Sequence, residues 1–186
     1  MLIGITGTDG SGKGSVVSYL VAKLDFVHYS SRDLIMLEVN KRGLSPTRAN
    51  IRIVANIMRG EGGADVIVKN ALNLIAENHV QNAVIESIRA IKEAETLKQA
   101  GGILLALDAP PEVRYKRIAS RGSSTDKVSY EDFLKQEELE MNDTDPNGMQ
   151  KAKVIAMADY LISNSESRQE LNLAVDKFLE KFFTNN

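Results

Sequence analysis

A short apolar run, Leu2–Thr6, leads directly into GTDGSGKGS (Gly7–Ser15), and a helical pattern continues from there to about Lys23. No other stretch restricts the fold as strongly. A strand that turns through three glycines into a helix can aim its backbone N–H groups inward, around the oxygens of a phosphate. Gly7, Gly10 and Gly12 allow the positive φ angles and close approach that side chains block. A helix beginning near Gly12 adds unpaired donors and the positive end of its dipole. Lys13 completes a G-x-x-x-x-G-K pattern, at the place from which a lysine reaches β- and γ-phosphates. The pattern ordinarily continues with Ser or Thr, whose hydroxyl holds Mg²⁺. Here Gly14 stands in that place and Ser15 comes one residue late. The opposing reading is a glycine-rich turn that binds nothing.

Beyond the loop, short apolar runs alternate with longer helical patterns, which predicts βαβ units and a parallel sheet. Strands are expected at Leu2–Thr6, Phe26–Ser30, Ala83–Ser87, Ile103–Asp108 and Asp159–Ser163. The closing helix places Leu171, Val175, Phe178, Leu179 and Phe182 on one side, with Ser167 and Glu170 as a capping box. The expected fold is therefore α/β: a five-stranded parallel sheet between two helical layers, in a single domain spanning residues 1–186. Two segments break the alternation. A helical stretch over about 34–78 lies between the second and third strands, and a polar stretch covers about 122–149. Both read as hinged elements able to close over substrates, or else as surface decoration.

Composition narrows the chemistry. With no cysteine in the chain, disulfides, a thiolate nucleophile and a Cys-based zinc site are excluded. A net charge of −2 gives no cause to expect general attraction to nucleic acid or to a membrane. Met1 runs straight into an apolar strand without a charged leader, and the apolar runs are too short to span a bilayer, so a cytoplasmic location is expected.

Several segments resemble adenylate kinases and related nucleoside monophosphate kinases. GKGS at Gly12–Ser15 resembles their GKGT variant, in which the hydroxyl lies one residue later. The resemblance implies that Ser15 sits near Mg²⁺ or a phosphate and that Gly14 is a family feature. Asp9 is similar to the aspartate in the DGxGK of thymidylate kinases, where it either faces the acceptor nucleotide or caps the loop. VIESIR (Val84–Arg89) resembles the strand-end DGxR element. That implies a role for Glu86 in holding the waters of Mg²⁺ and for Arg89 in gripping the acceptor monophosphate, with glutamate a departure from aspartate. PPEVRYKRIASRG (Pro110–Gly122) resembles the stretch entering the lid, which implies contacts from Arg117 and Arg121 to the donor nucleotide. MADYLISNSES (Met157–Ser167) resembles the last strand and loop of the same group, including dephospho-coenzyme A kinases, which brings Asn164 to the donor base. As a whole, the chain is similar to a largely archaeal set of adenylate-kinase-related proteins.

That resemblance implies ATP and Mg²⁺ as ligands. The donor would lie against Gly7, Asp9, Gly10, Ser11, Gly12, Lys13, Gly14, Ser15 and Val16, with Arg117 and Asn164. Ser15 and Glu86 would serve the metal. Asp33, Arg59, Glu86 and Arg89 would serve the acceptor, and Lys13, Arg89, Arg117 and Arg121 the transfer itself.

The arginine pattern supports an anionic ligand without any family. At 100° per residue, Arg114, Arg117 and Arg121 fall within about 60° on one helix face, and Arg48, Arg52 and Arg59 within about 40° on another. None has an acid three or four positions away. Such faces bind anions, or are solvated basic surfaces. Asp33 reads equally as an acceptor residue or a helix N-terminal charge, Asp108 as a helix cap, and His28 and His79 as structural. The stretch 122–145 contains no arginine; Lys127 and Lys135 are its only cations.

The expected activity is transfer of the γ-phosphoryl of ATP to a nucleoside or deoxynucleoside monophosphate. A dephospho-coenzyme A kinase and a regulatory ATPase are the alternatives. The expected partner is a small-molecule nucleotide acceptor, with neither a membrane nor a stable nucleic-acid partner; the oligomeric state is left open.

Overall fold

Fully apolar strands need cover on both faces, and the two helical layers supply it. A computed structural model of the chain describes residues 1–120, 129–142 and 150–183. In chain order these form β1 (Leu2–Gly7), α1 (Lys13–Leu24), β2 (Val27–Ser30), α2 (Ser31–Lys41), α3 (Arg48–Gly62), α4 (Val66–Glu77), β3 (Ala83–Glu86), α5 (Ile91–Gln99), β4 (Ile103–Asp108), α6 (Pro111–Ser120), α7 (Tyr130–Met141), α8 (Lys151–Ala156), β5 (Tyr160–Ser163) and α9 (Arg168–Phe183). The five strands form one sheet in the order β2-β3-β1-β4-β5, and every pairing is parallel. All strands therefore end at the same edge. The order reverses direction at β1, which puts the glycine loop at the switch point where α/β sheets bind ligands.

Alternation along the strands divides the core in two. Ile85 and Leu104 join Leu34, Val39, Val54, Met58, Ile67, Ala71, Leu97 and Val154 on one face. Ile3, Ile5, Val84, Leu105, Leu107 and Ile162 join Val16, Leu20, Leu171, Val175 and Phe178 on the other. The insertion α2–α4 thus shares one apolar cluster with the sheet; it is not a decoration laid on the surface. Helix α3 starts at Thr47, whose Oγ1 accepts the Asn50 N–H at 3.2 Å. Of the stretch expected as a lid, residues 129–142 are described, and α7 lies within them.

Four strand ends differ from expectation by one residue; β1 runs on to Gly7, and the other three differ for local reasons. Phe26 precedes β2 and is buried in the core. Asp159 precedes β5, where its Oδ2 accepts the Leu104 N–H at 2.8 Å. Ser87 leaves β3 with φ at 70°, a left-handed conformation rare for a residue with a side chain. The turn it makes is held by the Ile88 N–H donating to Ile5 O at 3.0 Å and by Thr6 Oγ1 donating to Ile88 O at 2.8 Å. No helix among the described residues is long and apolar enough to cross a membrane.

Phe178 is wholly buried, and its ring lies 5.6 Å from that of Tyr160 and 5.3 Å from that of Phe182. Phe178→Ala is expected to cost about 3–5 kcal/mol of stability, read by urea denaturation. A loss below about 1 kcal/mol would mean that α9 does not carry this half of the core.

Candidate active site

The loop between β1 and α1 is shaped by sterics before electrostatics. Gly7, Gly10 and Gly12 all take positive φ, as expected. At Gly7 a Cβ would stand 2.0 Å from the Leu107 carbonyl oxygen, because the loop leaves the sheet hard against β4. At Gly12, the N-cap of α1, it would stand 2.3 Å from Asn164 Nδ2. Asn164 occupies that space because its Nδ2 donates to Ser11 O at 2.7 Å while its own N–H donates to Asp108 O at 2.7 Å. Thr8 Oγ1 donates to Asp108 Oδ1 at 2.6 Å, so the Asp108 carboxylate, expected as a helix cap, tethers the loop to the end of β4. Gly14 meets nothing within 4 Å on the side where a Cβ would project.

Lys13 Nζ donates to Gly7 O at 3.1 Å and to Thr8 O at 2.7 Å, and lies 3.6 Å from Asp9 Oδ1. It is thus curled into the loop that its charge serves. Burial lowers its pKa to about 8, while Asp9 and Glu86 oppose the shift. Ser11 Oγ is buried with no hydrogen-bond partner among the described residues. Orphaned buried hydroxyls are rare, and one inside a phosphate-shaped loop fits a ligand oxygen. No cluster of three or more His, Asp or Glu side chains suited to a metal occurs among the described residues. The oxygen side chains of Ser15 and Glu86 would suit Mg²⁺, which takes few protein ligands and completes its shell with phosphate oxygens and water.

Glu86 ends β3 beside β1, opposite Ile5 in register. Its Oε2 lies 3.0 Å from His28 Nε2, and this hydrogen bond, ahead of the opposing effect of burial, holds the carboxyl below its usual range. His28 is therefore the partner of Glu86 across the β2–β3 pairing. Beyond the Ser87 turn, the Arg89 and Ala90 N–H groups donate to Glu93 Oε2 at 2.9 and 3.1 Å. Burial raises the pKa of Glu93, against the attraction of Arg59 and Arg89. Arg59, reaching in from α3, keeps a buried Nε with no partner among the described residues. The charges of two arginines from separate elements thus offset part of the effect of burial on one glutamate.

On the other side of the loop, Arg117 donates from Nη1 to Asn164 O at 2.8 Å. Arg121 lies outside the described residues, as does the side chain of Arg48. Arg114 corrects the reading of an unpaired arginine face. It is buried, donates to Ala109 O at 2.7 Å and Asp9 O at 3.3 Å, and forms a bidentate pair with Glu137 of α7. Its acid comes from another helix, beyond the reach of a rule about neighbours along one helix. Asp33 is exposed in the first turn of α2, where its N–H donates to Ser30 Oγ at 3.1 Å. That is the helix-terminal position of the two readings.

One residue had no signal in the sequence. Lys151, at the start of α8, has a side chain only 3% exposed and places Nζ 3.1 Å from Asp9 Oδ2, with a second bond to Glu140 of α7. The Gln150 N–H donates to Arg89 O at 3.0 Å, which brings this helix start to the site. Burial raises the pKa of Asp9, but Lys151, Lys13 and Arg89 together outweigh it and hold the carboxylate well below its ordinary value.

The AAA domain family matches residues 3–141 of the chain. A UPF0200 protein of Thermococcus onnurineus is 33% identical over 187 residues, covering 97% of each protein. A UPF0200 protein of Methanosarcina acetivorans is 31% identical over 188 residues, covering 100% of this chain and 97% of that one. Among solved structures, shikimate kinase from Aquifex aeolicus superposes with a TM-score of 0.59 at 19% identity, over the whole of both chains. Shikimate kinase from Bacteroides thetaiotaomicron does so with a TM-score of 0.61 at 18% identity, over 97% of each. At such identities the likeness is one of fold, and that fold is the P-loop kinase one expected.

Lys13 generates a pH dependence. A phosphate drawn against it favours its charged form, so nucleotide binding should take up a proton as the pH passes about 8. Affinity for MgATP is expected to be greatest below that value and to decline above it, approaching about tenfold per pH unit. Calorimetric titration between about pH 7 and about pH 9 checks this; a flat affinity with no proton uptake would show that Lys13 keeps its proton throughout.

Proposed function

The chain belongs to the UPF0200 family and carries a P-loop kinase fold, and from that premise we propose that it transfers the γ-phosphoryl of ATP to a nucleoside or deoxynucleoside monophosphate. The observation that carries this reading is the glycine loop with Lys13 curled into it and the buried, unpartnered Ser11 hydroxyl, together with a buried Arg59 Nε that has no partner among the described residues. A phosphate acceptor is already anionic, so its transfer needs cations to hold it and little proton chemistry. Arg59 and Arg89 would exchange part of their attraction to Glu93 for the acceptor phosphate, with the fork geometry that favours bidentate contact. One acceptor oxygen then forms the new bond to the γ-phosphorus, and the bond from that phosphorus to the β–γ bridging oxygen breaks, leaving ADP. Lys13 would leave Gly7 O and Thr8 O for the donor phosphates. Mg²⁺, when bound near Ser15 and Glu86, neutralises charge on the transferring group. Arg117 and Arg121 would steady the donor from the α6 side, with Asn164 beside its base.

A second reading, a dephospho-coenzyme A kinase, draws on the Glu86–His28 pair. An alcohol acceptor must lose a proton, and Glu86, although its lowered pKa makes it a weak base, would be the carboxylate to receive it as the new bond forms.

The test is ADP release from MgATP with each common nucleoside and deoxynucleoside monophosphate, with dephospho-coenzyme A, and with no acceptor. Strong stimulation by one monophosphate is expected. Stimulation by dephospho-coenzyme A alone selects the second reading, and a rate indifferent to every acceptor selects a regulatory ATPase. Lys13→Ala should abolish transfer with an unchanged circular dichroism spectrum. Arg89→Ala should raise the acceptor KM by about 10–100-fold, the value of a charged hydrogen bond, while leaving the KM for ATP within about threefold.

A further inference from the structure

An aspartate inside a phosphate-binding loop poses an electrostatic problem, because the ligand carries several negative charges. Asp9 lies between the first glycine of the loop and Lys13, and two lysines share its carboxylate: Lys13 at 3.6 Å through Oδ1 and Lys151 at 3.1 Å through Oδ2. Lys13 cannot serve both Asp9 and an incoming polyphosphate fully. As its charge turns to the ligand, Asp9 is left to its other partner. We propose that Lys151 is a positioning residue whose charge compensates Asp9 during nucleotide binding, holding its carboxylate in place so that the loop accepts phosphate.

The surroundings of Lys151 fit this role. Its ammonium is buried, where a charge is costly unless paired and where each pairing is correspondingly strong. Its second partner, Glu140, comes from α7. Lys13, Asp9, Lys151 and Glu140 thus form a row of alternating charge running from the loop to α7. The backbone of the same residue is held independently, by Arg114 donating from Nη1 to Asp9 O at 3.3 Å while Nη1 and Nη2 also meet Glu137 of α7. Side chain and main chain of Asp9 are therefore each fixed by a cation that α7 in turn neutralises. The stretch 122–145 contributes no arginine to the loop, and this lysine lies beyond it in sequence.

This inference rests on the reading that the loop binds nucleotide phosphates, and not on which acceptor is phosphorylated. The experiment is a double-mutant cycle of MgATP affinity by calorimetry on the full chain: wild type, Lys151→Met, Asp9→Asn and D9N/K151M. The Lys151→Met change is expected to weaken binding at least about tenfold when Asp9 is present and less than about threefold in the D9N background. Equal losses in both backgrounds would overturn the proposal, because Lys151 would then act on the phosphate directly. So would unchanged affinity in Lys151→Met accompanied only by a lower Tm, the sign of a purely structural pair. If Lys151→Met alone fails to fold, the comparison of D9N with D9N/K151M decides: a loss beyond about tenfold there overturns the proposal. A wild-type protein that binds MgATP yet phosphorylates no acceptor would end the proposed kinase activity and leave this inference standing. Failure of the wild type to bind MgATP would end both.

Discussion

A loop that offers its backbone to phosphate must exclude side chains from its own inner surface, and the neighbours of this loop are arranged around that steric condition. The absent Cβ of Gly7 admits the Leu107 carbonyl of β4, and the absent Cβ of Gly12 admits the amide of Asn164. Each close approach is then a point of attachment. β4 holds the loop through Thr8 and Asp108, and the residues after β5 hold it through Asn164 and Ser11. The loop is thereby fixed by elements far apart in the chain, and a binding surface made of main chain keeps its shape without a ligand to shape it.

Electrostatics sets the second layer. A site for polyphosphate concentrates cations, and cations in partly buried positions need counter-charges of their own. Three here have one. Lys13 rests near Asp9 and on two carbonyls, Lys151 between Asp9 and Glu140, and Arg114 on Glu137. The acids come from the loop and from α7, so these three cations are already paired before any ligand arrives. Binding then becomes an exchange of anions, with less desolvation than the capture of an anion by bare cations.

The sequence made the frame legible because the frame is written in local terms. Strand, glycine turn and helix start are each short-range signals, and the five apolar runs fell within a residue of the observed strands. What escaped was everything that depends on residues meeting across the fold. Arg114 seemed unpaired because its acid, Glu137, is on another helix; Lys151 is one lysine in a polar stretch; Glu93 is one acid at a helix start. His28 lay in a strand with no ligand spacing, and only the pairing of β2 with β3 carries it to Glu86. The Ser87 turn, which aims Arg89, has no glycine to announce it.

The insertion α2–α4 has a consequence for how such a protein can change. Arg59 buries its Nε from α3, while Val54 and Met58 on the same helix belong to one apolar cluster with Ile85 and Leu104 of the sheet. If Arg59 meets the ligand as proposed, recognition and cohesion share a scaffold, and a mutation that shifts the helix to admit a different ligand also disturbs the packing under the sheet. Drift in specificity on such a scaffold is confined to side chains that alter chemistry without altering volume, or must await compensating changes in the core. An evolutionary lineage with this architecture would be expected to keep its substrate longer than one whose recognition element hangs on a free hinge.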